Sequence, residues 1–144
     1  MNSAQLTTFK AAILAEPNVA AARASQSHGA IAAYYNGPGT GLIWRPAITV
    51  AELNTAIVWS EFIALTQGQR DAYAALISGA TVDATNANVR AGFSTIFAGT
   101  SITNLTALAQ RVPTVFEQLF SSGGVSTMFG YQVSVADVVQ ALGS

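Results

Sequence analysis

Apolar residues recur along most of the chain at the three- and four-residue spacings of one helix face. Leu6, Phe9 and Ile13 follow this spacing ahead of Pro17, and Val89, Phe93 and Phe97 repeat it later. The pattern predicts a first helix that begins with Ser3 as its N-cap and ends before Pro17. It predicts further helices at 17–24, 27–35, 50–58, 67–78, around 89–97, and at 102–111, 115–120 and 134–142, with a short turn at 61–65.

Several of these helices begin with a capping-box spacing. In this arrangement a Ser or Thr before the helix accepts a hydrogen bond from the third helical residue, whose Glu or Gln side chain bonds back. The chain carries it at Thr49 with Glu52, Thr66 with Gln69, and Thr114 with Glu117, and in a weaker form at Ser134 with Asp137. Each pair predicts the start of a helix.

Two segments interrupt the helical pattern. Residues 36–47 begin with Asn-Gly-Pro-Gly and contain Pro46, which is excluded from a central strand, so they predict a loop or extended arm. Residues 123–133 hold two β-branched and aromatic runs around Gly130, which predict a small C-terminal β-hairpin or extended arm. No composition change marks a boundary. The sequence therefore predicts one mainly α domain over residues 1–144, a compact bundle of about six to eight short helices.

Charge changes this picture, because the chain has only six basic and seven acidic residues, one His and no Cys. Its charged fraction is 9%, against roughly 25% in an ordinary soluble domain. So few catalytic groups predict no enzyme activity, no cofactor and no metal site. The low charge has two explanations: a monomer surface covered by Ser, Thr, Asn and Gln, or a surface covered by neighbouring subunits. We favour the second, which predicts a homo-oligomer.

Individual motifs add no catalytic signature. The glycine-rich residues 37–41 continue into Leu-Ile-Trp and lack the Gly-Lys-Ser/Thr ending of a phosphate loop. His28 lies beside Ser25 and Ser27 without an acidic partner nearby, so helix capping is the simpler interpretation. Scattered basic residues and a net charge of −1 predict no specific nucleic-acid binding. The first ten residues predict no secretion signal, and no uncharged stretch predicts a membrane span.

Trp44 and Arg45 belong to the residue types most enriched in interface hot spots. Trp44 is assigned either to a subunit contact or to the core, whereas Trp59, beside a helical pattern, is predicted in the core. The predicted contacts between subunits come from the arm and the hairpin. They are Tyr35, Gly37, Pro38, Leu42, Trp44, Arg45, Met128, Phe129 and Tyr131.

Four runs together resemble small proteins encoded among the virion structural genes of tailed bacteriophages. The runs are NVRAGFSTIFAGT at 88–100, ALAQR at 107–111, EQLF at 117–120 and GYQVSVADV at 130–138. The resemblance covers most of the chain and its motifs are structural rather than catalytic. It implies a head completion or head-to-tail connector (neck) protein, an adaptor that forms an oligomeric ring and joins portal to tail.

That resemblance also implies a location and partners. The chain would be made in the host cytoplasm and reside in the virion, with the portal and the tail or neck proteins as partners. Relatives carry more basic residues near Arg111, where this chain continues with Val-Pro-Thr-Val, so no specific contact with packaged DNA is implied. Three alternatives stay open: a capsid decoration (cement) protein, a tail terminator, and a small helical ligand-binding domain. An apolar pocket around His28 or Trp44 would favour the last of these.

Overall fold

The computed structural model describes residues 1–143, of which most are helical. The ten α-helices of the described chain are α1 (Ser3–Ala15), α2 (Ala20–Ala24), α3 (His28–Asn36), α4 (Val50–Ala56), α5 (Trp59–Ala64), α6 (Gln67–Leu76), α7 (Ala87–Ile96), α8 (Gly99–Ala109), α9 (Val115–Leu119) and α10 (Val135–Gly143), with a 3₁₀ turn at Pro17–Val19. The mainly α prediction is confirmed. None of these helices is long and apolar enough to cross a membrane.

The predicted capping boxes are all formed. At α9, for example, the Thr114 N–H donates to Glu117 Oε2 (2.8 Å) and the Glu117 N–H donates to Thr114 Oγ1 (3.1 Å). The weaker Ser134 and Asp137 pair makes the same reciprocal bonds ahead of α10. The cap of α1 was predicted wrongly, because Asn2 rather than Ser3 occupies that place and shares a capping box with Gln5.

Two helices extend beyond their predicted limits, and a side chain from the first caps the start of the second. Residues 61–64 of the predicted turn at 61–65 belong to α5, and α8 begins at Gly99 instead of residue 102. Glu61 of α5 accepts hydrogen bonds from the N–H groups of Thr100 (2.9 Å) and Ser101 (2.8 Å), which are otherwise unpaired at the start of α8. Gly99 has a φ of +65°, and a Cβ there would lie 2.8 Å from Glu61 Oε1. The site therefore requires glycine.

Strands are short and form three antiparallel pairs in the described chain. Strand β1 (Ile43–Trp44) pairs with β4 (Gln110–Arg111), β2 (Ile48–Thr49) with β3 (Thr81–Val82), and β5 (Ser121–Ser122) with β6 (Val125–Ser126). The C-terminal hairpin exists, but it turns at Gly123 and Gly124, with φ of 59° and 75°, and not at Gly130 as the sequence suggested. Two successive residues with positive φ are typical of a tight type I′ turn.

The described residues pack as two compact units, which the single-domain prediction did not anticipate. Unit 1 comprises residues 1–41 and 112–143, and unit 2 comprises residues 42–111. In unit 1, helices α1, α3, α9 and α10 contact one another around the fully buried ring of Phe9. That ring makes edge-to-face contacts with Tyr35 (4.9 Å between centroids) and Phe116 (5.1 Å).

Unit 2 has its own aromatic core. Helix α6 packs on α7, and α4 packs on α8. The buried ring of Tyr73 contacts Phe62 (5.7 Å between centroids), Phe93 (6.2 Å) and Phe97 (5.3 Å). Ser101 is fully buried, and its Oγ accepts a hydrogen bond from the Val58 N–H (3.0 Å). Each unit thus encloses a separate apolar cluster.

Candidate functional site

The second half of the predicted arm is held in place within unit 2. Backbone pairing of β1 with β4 fixes Trp44, and the Arg45 N–H donates to the Ala109 carbonyl (2.9 Å). The Arg45 side chain donates to Glu52 Oε1 (2.7 Å) in an ion pair and to the Leu108 carbonyl (3.1 Å). Hydrogen bonds from Arg45 and Thr49 lower the pKa of Glu52 to about 2. The bonds of Arg45 therefore lie within unit 2, whereas Leu42 is 53% exposed to solvent.

The first half of the arm is attached to the segment that leads into α9 in unit 1. The Gly37 carbonyl accepts from the Val115 N–H (2.9 Å), and Pro38 forms an isolated bridge with Thr114. The Gly39 N–H donates to the Pro113 carbonyl (2.8 Å). Pro38 is exposed and Gly37 is half-buried, so only part of this stretch faces solvent. The glycine-rich segment follows a fixed path and forms no phosphate loop.

Two of the predicted contact residues lie in the core, and their assignment to a subunit interface is wrong. Tyr35 is fully buried between Phe9 and Tyr34, and burial raises its pKa. Met128 is buried, and its sulfur accepts a hydrogen bond from Gln5 Nε2 (3.0 Å). Their side chains are needed to fill unit 1 and do not reach a neighbouring subunit.

The remaining predicted contacts near the C-terminus are half-buried. Phe129 and Tyr131 both show part of their side chains to solvent. The Tyr131 ring lies 5.3 Å from that of Phe116, and its hydroxyl donates to Asp137 Oδ1 (2.9 Å). Burial and, after it, the hydrogen bond to Asp137 raise the pKa of Tyr131. This tyrosine therefore ties α10 to the loop before it.

Two short helices expose apolar pairs at i and i+4. On α5 in unit 2, Trp59 is 53% exposed and Ile63 70% exposed; on α10 in unit 1, Val135 is 52% and Val139 47% exposed. We call these the α5 face and the α10 face. The prediction that Trp59 belongs to the core is wrong, because its side chain is 53% exposed, although its ring makes an edge contact with Phe62 (5.3 Å between centroids).

Charge is absent from both faces because the acidic group on each helix is turned towards its own unit. Glu61, the one charged residue of α5, caps the start of α8, and the hydrogen bonds from Ser101 and Thr100 lower its pKa. Asp137, the one charged residue of α10, accepts from Ser134 and Tyr131. The two faces can thus be buried without removing an ionised group from water.

An apolar cavity of about 260 Å³ opens in unit 2 beside Trp44. Its walls include Ile48, Leu53, Val82, Phe93 and Leu105, and its polar lining comprises Arg90, Ser94 and Thr106. The Arg90 guanidinium carbon lies 4.5 Å from the centroid of the Trp44 ring, in a cation–π arrangement. Trp44 is therefore neither fully buried nor a free contact residue, since one side of its ring is covered by Arg90.

The single histidine and several carboxylates lie at helix starts. Ser27 caps α3 without a side-chain bond to its backbone, and the Ser25 hydroxyl donates to the Ala21 carbonyl (3.0 Å), away from His28. Within residues 1–143, no three His, Asp or Glu side chains gather into a possible metal site. Glu52, Glu61 and Asp137 serve as helix caps, which accounts for their bonds without chemistry.

Sequence reasoning missed the residues that form these surfaces. The i, i+4 spacing of Trp59 with Ile63 is visible in the sequence, but Ile63 was assigned to the turn predicted at 61–65 and Trp59 to the core, so no exposed helix face was predicted there. Arg90 was seen only as one of the scattered basic residues, because its contact with Trp44 joins positions far apart in sequence. Comparison of the sequence with known protein families and curated proteins, and of the structure with solved structures, found no match.

Proposed function

We propose that this chain is a structural subunit that assembles with copies of itself, and that its role is that of a head-to-tail connector (neck) ring in a tailed-phage virion. The observation that carries the proposal is the pair of uncharged apolar faces on α5 and α10. The virion role rests on the sequence resemblance described above. The assembly role rests on the exposed surface itself.

Water contacts four large apolar side chains on these two faces. Full burial of a large apolar side chain stabilises by roughly 1.5–3 kcal/mol. Trp59, Ile63, Val135 and Val139 are 47–70% exposed, so completing their burial contributes roughly 1–2 kcal/mol each. Interface cores are depleted in charged residues, and both faces meet that condition. Leu42 adds a further exposed apolar side chain in unit 2.

The presence of two different faces on one chain fits a ring better than a symmetric dimer. A closed ring uses heterologous contacts, in which one patch of a subunit meets a different patch of the next. We assign these patches to the α5 face and the α10 face, in place of the arm and the hairpin that the sequence suggested. Those two segments are largely bonded within their own units.

The experiment measures the mass of the assembly by native mass spectrometry. We expect a ring for the natural chain and monomers for two double variants, Trp59→Ser with Ile63→Ser and Val135→Ser with Val139→Ser. A matched control, Leu14→Ser, removes an equally exposed apolar side chain outside both faces and should leave the ring intact. Mixing the two double variants should give a one-to-one dimer that grows no further, because each retains one competent face.

Three results would contradict the assembly proposal: a monomeric natural chain at high concentration, rings that persist in both double variants, or dimers of either double variant alone. The last result would indicate a face that pairs with itself. Density for the chain at the portal-to-tail junction of whole particles would support the neck position. Copies spread over the capsid shell would instead indicate a decoration protein.

A second candidate function, a small helical ligand-binding domain, is favoured by the cavity beside Trp44. Small-molecule sites are concave and mostly apolar with a few convergent polar groups. The cavity has apolar walls and a single cationic side chain, which matches that description. It lies within unit 2 and involves no residue of the α5 face.

A further inference from the structure

We infer that the cavity beside Trp44 binds a small amphiphile with an aliphatic body and a carboxylate head. This inference deepens the ligand-binding candidate and is independent of ring assembly. Apart from Arg90, Ser94 and Thr106, the lining is apolar and provides no partner for a polar body, so the part of the ligand against it must be hydrocarbon. The chemistry of the head is set by Arg90.

Arg90 is a cation without an anionic partner. Its Nη1 donates to the carbonyl oxygens of Ala84 (2.7 Å) and Thr85 (2.8 Å), which fix the guanidinium at the edge of the cavity. No carboxylate of residues 1–143 forms an ion pair with it, and the nearby Asp83 is bonded to Thr85 instead. The Nη2 and Nε donors of Arg90 thus have no partner in the described chain.

An anion suits these two donors for geometric and electrostatic reasons. The guanidinium presents a planar fork that matches the two oxygens of a carboxylate. Half-burial over the Trp44 ring weakens its hydration, which strengthens attraction to an anion relative to an exposed arginine. Ser94 and Thr106 supply hydroxyl groups on the same lining for a second contact with the head.

Volume limits the length of the body. A cavity of roughly 150 Å³ holds one benzene molecule, so 260 Å³ accommodates about ten non-hydrogen atoms. Octanoate has about that size and combines a straight hydrocarbon chain with a carboxylate. It is therefore the probe that the dimensions select, with 1-octanol and octylamine as neutral and cationic analogues of the same chain length.

The tryptophan content makes a direct assay possible. The chain has two tryptophans, so Trp59→Phe leaves Trp44 as the single reporter at the cavity. In the full chain carrying this change, octanoate should alter Trp44 fluorescence in a saturable manner. We expect about tenfold weaker binding of 1-octanol, because it lacks the charge-assisted bonds to Arg90, and weaker binding still of octylamine.

Two pairs of variants distinguish a loss of ligand binding from a loss of folding. Ala91→Phe places a ring at the exposed lining of the cavity and should abolish the fluorescence change, whereas Ala74→Phe, at an exposed position of α6 outside the cavity, should not. Arg90→Met should weaken octanoate binding about tenfold, and Arg90→Lys should restore most of it. If Arg90→Met fails to fold, the analogue series and the alanine pair still decide the question.

The possible results test separately whether the ligand carries a carboxylate and whether the cavity binds a ligand. Equal affinity for octanoate, 1-octanol and octylamine would overturn the carboxylate assignment but keep a ligand site. Absence of any saturable response, or equal responses in Ala91→Phe and Ala74→Phe, would overturn the site and the second candidate function with it. Trp44 fluorescence could instead change with protein concentration and not with octanoate concentration. That result would indicate that a second copy of the chain occupies the cavity, and it would refute the inference.

Discussion

Asn36 connects the end of α3 to the backbone that precedes α10, and its removal is a sharp test of how unit 1 is held together. Its Nδ2 donates to the Val133 carbonyl (2.9 Å), and its Oδ1 accepts from the Val133 N–H (2.8 Å). Val133 is buried, so Asn36→Ala would leave two backbone groups without partners. At about 1–2 kcal/mol for each unpaired group, the free energy of unfolding should fall by about 2–4 kcal/mol.

Urea denaturation followed by far-UV circular dichroism provides the assay. With an m-value of about 1.5–2 kcal/mol per molar urea, the midpoint should fall by about 1–2.7 M. Asn88→Ala is the matched control, because Asn88 is exposed within α7, and it should change stability by less than about 0.5 kcal/mol. A loss below about 1 kcal/mol for Asn36→Ala, or a loss equal to that of the control, would refute the reasoning.

The remaining predictions concern a carboxylate and two glycines in unit 2. The pKa of Glu52 is lowered from 4.5 to about 2 in the folded chain, so its contribution to stability is complete above pH 4.5 and disappears as the pH falls towards 2. Glu52→Gln should therefore lower the urea midpoint at pH 6 more than at pH 2, measured by tryptophan fluorescence; an equal loss at both values would contradict the assigned cause. Gly99→Ala should cost about 2 kcal/mol, because a Cβ at that positive φ is strained and displaces the Glu61 cap. Gly68→Ala, in α6 with open space around it, should instead stabilise the chain by up to about 1 kcal/mol. Similar losses of stability for both glycine variants in urea titrations would contradict the positive φ and close contact assigned to Gly99.

Helix starts were predictable from the sequence because their causes are local. Thr49, Thr66 and Thr114 each lie three residues before the side chain that completes the box, so residues close in sequence determine the bonds. The mainly α class followed from the same local signals together with one-face apolar spacing. Where two nearby caps competed, as Asn2 and Ser3 do at α1, spacing alone did not choose correctly.

Positions that depend on distant partners were not predictable. Tyr35 and Met128 looked like surface aromatic and sulfur contacts, but residues far away in the chain cover them. Trp59 was predicted to be buried because of its residue type, yet about half of its side chain is exposed. The cavity requires Trp44 and Arg90 to meet across more than forty residues of sequence, and no local pattern encodes that meeting.

The interrupted course of unit 1 has a consequence for biosynthesis. Its first 41 residues are separated from residues 112–143 by the whole of unit 2, so α1 and α3 leave the ribosome well before α9 and α10 exist. At roughly 5–20 residues per second, translating the intervening stretch of about 70 residues takes roughly 4–14 s. During that interval Phe9 and Ile31 lack the packing partners that α9 and α10 supply to their core. Unit 2 is continuous, so all of its own packing partners are present once residue 111 has been made. The nascent chain is therefore most vulnerable at its beginning, and unit 2 is the part able to fold first.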